Sequence, residues 1–428
     1  MTVQEKKFRL PEDILIKRRG RKYLFLNPAI PDWTITNFNG AWALRLCNGR
    51  RTAKEINSIL KWLGCKDNDQ EILQFFSEVS KTKLFQAQEI QPQRSGTGLR
   101  TVHLNLTEEC NLRCVYCYAE ERSNYSGKLQ FQEYINLVND ISNISPTTDI
   151  VFTGGEPLLK DFTLELAQYA KKRGHHVHLL TNGILINENN SKAIAEIFDL
   201  IKISLDGSTP EIHEFHRGIG TFYKTLGAID LLAQEGAHVK IAMTVTKINK
   251  NDIDSMAKKF GPLLSIAPLF KAGRAKYNNK LSISGKEYYE ALASVKGVSP
   301  LSFLCDYLSR AKQKRIMNCG MGEAEISISD TGDVYPCHLL HLRQFHAGNI
   351  KIQPLESIYQ DSENLRFCRD LTVLEIKGCK KCDIRFICGG ACRARAFYEK
   401  NRIDVSDNFC KYEKMAFING LFEVHQLL

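Results

Sequence analysis

No run of about 18 apolar residues occurs in this chain of 428 residues, so the sequence offers no membrane-spanning helix. Its first stretch, MTVQEKKFRLPEDILIKRRGRKY, is charged throughout and lacks the apolar centre of a secretory signal. A cytoplasmic location and no membrane partner are therefore expected. Proline is sparse at 12, glycine is ordinary at 28, and 43% hydrophobic with 25% charged residues excludes collagen-like, coiled-coil and disordered classes. A net charge of +10 is modest for this length and permits an anionic partner without requiring one. What the chain has in excess is cysteine, 14 residues in clusters. In a reducing compartment such clusters serve as metal ligands or catalysts rather than disulfides. The length leaves room for two or three globular domains.

The first ninety or so residues read as a small α/β unit. Ile14–Arg18 and Lys22–Leu26 flank Arg19-Gly20 as a hairpin, and Trp33–Thr36 adds a third strand. Helices follow at Phe38–Leu46, stopped by Asn48-Gly49, after the capping box of Thr52 and Glu55, and near Asp69–Lys81. The polar stretch 86–99 reads as a linker. From 100 to about 300, strands at Val102–Leu106, Asp149–Thr153, Val177–Leu180, Ile201–Leu205 and Val239–Val245 alternate with amphipathic helices. This rhythm predicts a parallel α/β sheet, open or closed into a barrel. The remainder breaks the rhythm, is rich in cysteine and glycine, and reads as metal-stapled. The expected domains are 1–90, 100–300 and 301–428.

Directly after the first of those later strands, TEECNLRCVYCYAE places Cys110, Cys114 and Cys117 in a C-x3-C-x2-C array. Three thiolates do not complete a tetrahedral zinc site. They suit three irons of a 4Fe–4S cube, with the fourth iron open to a chelating ligand. Here the sequence resembles the radical S-adenosylmethionine (SAM) superfamily. Tyr116 matches the aromatic position before the third cysteine, and Gly154, Gly155 and Glu156 match the GGEP element that binds the SAM amino group. Thr181 and Asn182 follow the third strand, Ser204 and Asp206 end the fourth, and Arg217 lies just beyond. The resemblance implies that these positions contact SAM, and that the fold is a partial (β/α)6 barrel. Independently of it, all four elements follow strands, at the sheet edge where parallel α/β folds form their sites.

The C-terminal region carries Cys319, Cys337, then Cys379, Cys382, Cys388 and Cys392, and finally Cys410. This pattern resembles the seven-cysteine SPASM domain of radical SAM enzymes that act on peptides and proteins. The resemblance implies one auxiliary cluster on Cys319, Cys337 and Cys392 and another on Cys379, Cys382, Cys388 and Cys410, three 4Fe–4S clusters in all. The first auxiliary cluster is left one ligand short. Cys305, Cys368, a non-cysteine side chain or an open site for substrate sulfur would fill it, with neither cysteine expected. A pair of zinc sites is the alternative for these thiols. SPASM enzymes that convert a sulfatase residue to formylglycine carry an Asp after the cysteine matched by Cys337. This chain has His338 there, a candidate base because histidine titrates near neutrality.

The N-terminal unit also fits a winged helix, which with its KRRGRK turn would suggest a DNA-binding iron–sulfur regulator. It resembles more the leader-recognition element of enzymes maturing ribosomally made peptides, related to the peptide chaperone of PQQ biosynthesis. Such a unit adds the leader of a precursor peptide as an extra strand. The combined resemblance implies an oxidoreductase that splits SAM to a 5′-deoxyadenosyl radical and modifies a precursor peptide. A flavodoxin or ferredoxin supplies electrons, and nucleic acid is not expected as a partner. A thioether crosslink is the first product, with carbon–carbon crosslinking, epimerisation or sulfatase-type oxidation behind it.

Overall fold

The computed structural model describes residues 2–65, 69–87, 98–121, 127–295 and 315–424. In the N-terminal unit, Leu15–Arg19 (β2), Lys22–Asn27 (β3) and Asp32–Thr36 (β4) form an antiparallel sheet in that order. The helices Phe38–Arg45, Ala53–Trp62 and Asp69–Val79 follow. Thr52 and Glu55 close a reciprocal cap on the second helix: Thr52 N donates to Glu55 at 2.7 Å and Glu55 N to Thr52 at 3.2 Å. The stretch after the first helix continues beyond its stop: Asn48–Thr52 (β5) pairs antiparallel with Lys7–Arg9 (β1). Its NGRRT sequence is charged and lacks the apolar alternation that marks a strand.

Both faces of β2–β4 are covered. Tyr23 and Phe25 face the unit's own helices and pack with Ala41, Leu44 and Val79. Leu24, Leu26 and Trp33 face the other way, against Ile384, Ile387, Phe417, Leu421 and Phe422 of the C-terminal region. Each such buried aliphatic or aromatic side chain contributes about 1.5–3 kcal/mol. The N-terminal unit is thus bonded into the molecule through the chain's last helix, Cys410–Val424.

Six parallel strands follow one another in space as in sequence: Thr101–Asn105 (β6), Asp149–Thr153 (β7), His176–Thr181 (β8), Leu200–Ser204 (β9), Val239–Val245 (β10) and Leu264–Pro268 (β11). Even-numbered residues of β6 and β7 and odd-numbered ones of β8–β10, such as Leu104, Phe152, Leu179, Ile203 and Met243, pack under the outer helices. The opposite set, including His103, Lys202, Ser204 and Thr244, faces the concave interior. Five of the six strands lie where the alternation predicts. The sixth, LSIAP, is a half-exposed edge strand with no apolar run to announce it.

Beyond β6 the sheet continues into the cysteine-rich region: Glu325–Ile328 (β12) runs parallel to β6, followed by Asp333–Tyr335 (β13) and Gly348–Asn349 (β14), both antiparallel. The resulting nine-stranded sheet is continuous across the expected division at residue 300. That boundary and Cys305 lie outside the described residues. Among the described residues no helix is long and apolar enough to cross a membrane.

Candidate active site and cysteine nests

The loop after β6 carries Cys110, Cys114 and Cys117 at the C-terminal edge of the parallel strands. Several elements hold it. Gly155 N donates to Thr107 O at 2.6 Å and Glu156 N to Glu109 O at 2.9 Å. Val115 N reaches His216 O at 3.0 Å, while Arg274 binds Cys114 O through Nε at 2.7 Å and Cys117 O through its backbone N at 2.9 Å. Gly155 is required by proximity, since a Cβ there would stand 2.0 Å from the Glu109 oxygen. Gly273 is doubly required: its φ is +51° and a Cβ would stand 2.2 Å from Cys117 O. The thiols form one electrostatic group, Cys110 feeling Cys114 and Cys117, and Cys114 feeling Cys117.

This loop forms one wall of a cavity of about 770 Å³. Tyr116, Gly154, Gly155, Thr181, Asn182, Ser204 and Arg217 all line it, so seven of the nine SAM-contact candidates converge there. Glu156 and Asp206 do not line it, and each has a different task. Glu156 is fully buried; its carboxylate accepts from Thr181 Oγ1 at 2.8 Å, Asn182 N at 2.9 Å and Leu158 N at 3.1 Å. It ties the end of β7 to the end of β8, and burial raises its pKa. Asp206 is also fully buried and accepts from Tyr116 Oη, Arg217 Nε and, at 2.8 Å, Thr244 N. Burial opposes its ionisation, but Arg217 and the Tyr116 hydroxyl hold its carboxyl below the ordinary range. Arg217 further donates to Tyr116 Oη at 2.7 Å and points Nη1 at Cys114 Sγ, 3.9 Å away. Asn182 Nδ2 donates to Asn111 Oδ1 at 2.7 Å beside Cys110.

The C-terminal thiols fall into two nests. Cys337 senses Cys392 and Cys319, and burial pushes its thiol well up. Cys388 senses Cys379, Cys410 and Cys382 and is likewise raised, burial first. Buried thiols ionise when a metal supplies the positive charge, so these nests fit iron–sulfur clusters. Arg395 Nε bonds Asp407 at 2.7 Å and Nη2 bonds Glu413 at 2.8 Å, and its charge also reaches Cys392. Cys368 is fully buried on the helix Glu363–Asp370, its thiol raised by burial to about 12. Cys47, in the N-terminal unit, is a core thiol that donates to Ala43 O at 3.3 Å.

His338 lines the same cavity from the C-terminal side, together with Leu339. Its Nδ1 lies 2.8 Å from Glu325 Oε1, and its ring stacks on His103 with centroids 4.3 Å apart. Sequence reasoning missed Lys202 and Arg274, which line the cavity, and His103 and Glu325, which hold His338. Lys202 and His103 carried a usable signal: each is polar at an inward position of an otherwise apolar strand. Arg274 and Glu325 carried none, because tertiary packing places them.

The comparisons with known proteins agree with this geometry. The profile of the radical SAM superfamily matches residues 104–260, and that of the SPASM iron–sulfur cluster-binding domain matches residues 319–383. The chain is 30% identical over 346 residues to the AdoMet-dependent heme synthase of Oleidesulfovibrio alaskensis, covering 73% of this chain and 87% of that one. It is 28% identical to the mycofactocin maturase MftC of Mycobacterium ulcerans, covering 71% and 86%. Among solved structures, Streptococcus suis SuiB bound to its precursor peptide SuiA superposes with a TM-score of 0.57 at 15% identity, covering 94% of this chain and 100% of that one. This chain belongs to the radical SAM superfamily. It is an enzyme with SAM and 4Fe–4S clusters as its cofactors and an iron–sulfur SPASM region at its C-terminal end.

Proposed function

We propose that the chain is a radical SAM maturase of a ribosomally made precursor peptide, carrying three 4Fe–4S clusters. The observation that carries this reading is the shared cavity. Cys110, Cys114 and Cys117 line it, and so do His338 and Leu339, next to Cys337. A substrate held in it would meet a radical source and an electron acceptor at once. A cluster on Cys110, Cys114 and Cys117 with SAM bound beside it would supply a 5′-deoxyadenosyl radical.

The chain's own residues bind and orient. Cys110, Cys114 and Cys117 hold the first cluster. Gly154, Gly155, Thr181, Asn182, Ser204, Tyr116 and Arg217 form the SAM surface, while Glu156 and Asp206 fix those residues in place. Cys319, Cys337 and Cys392 hold one auxiliary cluster, and Cys379, Cys382, Cys388 and Cys410 the other. A flavodoxin or ferredoxin delivers electrons. The N-terminal unit captures the leader at an edge of its three-stranded sheet, whose faces are already covered.

The product is a thioether crosslink. Joining a C–H carbon to an S–H sulfur would send one hydrogen atom to the 5′-deoxyadenosyl radical, giving 5′-deoxyadenosine, one proton to a base and one electron to an acceptor. His338, oriented by Glu325, is the candidate base, and a cluster held by Cys319, Cys337 and Cys392 would accept the electron. Mycofactocin maturase and the SuiB complex with its precursor peptide support the peptide reading. The heme synthase relative favours a second reading, a non-peptide substrate with a purely structural N-terminal unit. The test is anaerobic incubation with SAM, reductant and any short peptide found encoded beside this reading frame. Loss of a hydrogen pair from that peptide, together with 5′-deoxyadenosine, supports the proposal. Turnover of a tetrapyrrole and no change in any peptide would favour the second.

A further inference from the structure

The first auxiliary nest has three cysteines, and the fold places one more donor on it. In the hairpin of β12 and β13, Ser327 pairs with Tyr335 and Ile328 with Val334. The same register carried outward sets Glu325 opposite Cys337, and directly opposed residues share a face. Cys319 is brought back to that end by a tight loop: Gly320 O accepts from the backbone N of Glu323, Ala324 and Glu325 at 3.2, 2.8 and 3.0 Å. Gly322 N then donates to Pro336 O at 2.9 Å, locking the loop beside Cys337.

The two carboxylate oxygens of Glu325 are used unequally. Oε1 takes His338 Nδ1 at 2.8 Å, His338 N at 3.5 Å and His103 Nε2 at 3.4 Å. Oε2 has no hydrogen-bond partner among the described residues. The histidines hold one oxygen, which leaves the other to bind elsewhere. Cys337 Sγ stands 3.9 Å from the same His338 Nδ1, so thiol and carboxylate share one neighbour. The negative charge of Glu325 acts on both Cys337 and Cys319. The rival donor Cys368 faces one thiol, Cys319, and otherwise packs among Met317, Met321, Leu371 and Val373.

Resting on the assignment of Cys319, Cys337 and Cys392 above, we infer that Glu325, through Oε2, is the fourth ligand of that auxiliary cluster. Ligating carboxylates and their hydrogen-bonding partners work as a unit, and here the partner His338 also lines the substrate cavity. One iron of the cluster is then held by an oxygen, a poorer match for iron–sulfur chemistry than thiolate and the position from which it exchanges ligands.

The test uses the full chain with Cys110, Cys114 and Cys117 replaced by Ala, so that the auxiliary clusters alone give signals. In that background Glu325→Ala, Glu325→Cys and Cys368→Ala are reconstituted anaerobically and compared by iron content, EPR and Mössbauer spectra. Glu325→Ala is expected to lose one iron of the cluster's four on mild oxidation, giving a three-iron signal. Glu325→Cys should keep all four with an altered spectrum, and Cys368→Ala should match its parent. Should Glu325→Ala not load, Glu325→Cys decides, an unaltered spectrum overturning the assignment. Loss of iron in Cys368→Ala, or unchanged spectra in both Glu325 variants, overturns it too. No SAM or peptide enters these measurements, so they fail or succeed apart from the peptide reading, whose own failure appears as unmodified precursor.

Discussion

Replacing Gly155 by Ala tests whether the end of β7 sets the position of the cysteine loop. Gly155 is not at positive φ, so the added methyl acts through contact alone. It would stand 2.0 Å from Glu109 O, 2.6 Å from Glu109 C and 2.8 Å from Glu108 O, all backbone atoms with no rotamer to yield. Carbon–oxygen contacts begin near about 3.3 Å, so the Glu109 backbone has to retreat by roughly 1.3 Å. Cys110 is the next residue and moves with it. Overpacking of this kind costs about 1–3 kcal/mol, which leaves the fold intact. A misplacement of about 1 Å at a reacting centre costs on the order of 10²-fold in rate. The assay is 5′-deoxyadenosine formation under strong reductant, with iron content measured on the same sample. The expected outcome is a rate lower by about 10²-fold, or loss of the first cluster, with the auxiliary clusters retained. Gly227→Ala is the control, because that helical glycine has nothing within 4 Å of its added methyl; it should gain up to about 1 kcal/mol. A Gly155→Ala enzyme within about threefold of the parent would refute the reasoning, since the close approach would then be dispensable.

Asp206→Asn strips the partner from Arg217, whose side chain is only 10% exposed, and should destabilise the protein by about 3–5 kcal/mol in chemical unfolding; a loss below about 1 kcal/mol would contradict the network. The stability of the cluster-free protein should fall as pH drops from about 6.5, the unfolded histidine value, because buried His213 has its pKa depressed to about 4, chiefly by burial. The unfolded state then binds the extra proton, so stability present above that unfolded value declines by up to about 1.4 kcal/mol per pH unit down to the folded value; His213→Asn should flatten this slope. Replacing Cys110, Cys114 and Cys117 together by Ala should reduce iron from about twelve to about eight per chain and abolish 5′-deoxyadenosine formation. The three tryptophans, Trp33, Trp42 and Trp62, all lie in the N-terminal unit. Precursor peptide should therefore change intrinsic fluorescence while a leaderless core peptide does not, and modification without any such change would remove the capture role.

The parallel strands were legible because their alternation is forced: one face of Asp149–Thr153 or Val239–Val245 is packed under helices, so apolar residues recur every second position. The C-x3-C-x2-C array was legible because Cys110, Cys114 and Cys117 share one short loop, whereas Cys319, Cys337 and Cys392 are far apart in sequence and are brought together only by the fold. Less visible were contacts that depend on what tertiary packing supplies. NGRRT reads as a turn until Lys7–Arg9 arrives to pair with it. Glu156 reads as a cofactor ligand, yet its carboxylate is spent on the backbone of β8 and the turn after β7. Nothing local to Glu325 distinguishes it from any acidic residue at the start of a strand; the hairpin register and two distant histidines give it its place.

The packing of Leu24, Leu26 and Trp33 against Phe417, Leu421 and Phe422 sets an order of events in the making of this protein. The N-terminal sheet leaves the ribosome long before the helix that covers its second face. At about 5–20 residues per second, that apolar face waits tens of seconds for its cover. Cys410, the last of the clustered thiols, begins that same covering helix. Final closure of the N-terminal sheet and completion of the neighbouring thiol nest are therefore one late step. A nascent chain stalled or truncated before that helix carries an open apolar sheet and an incomplete nest together.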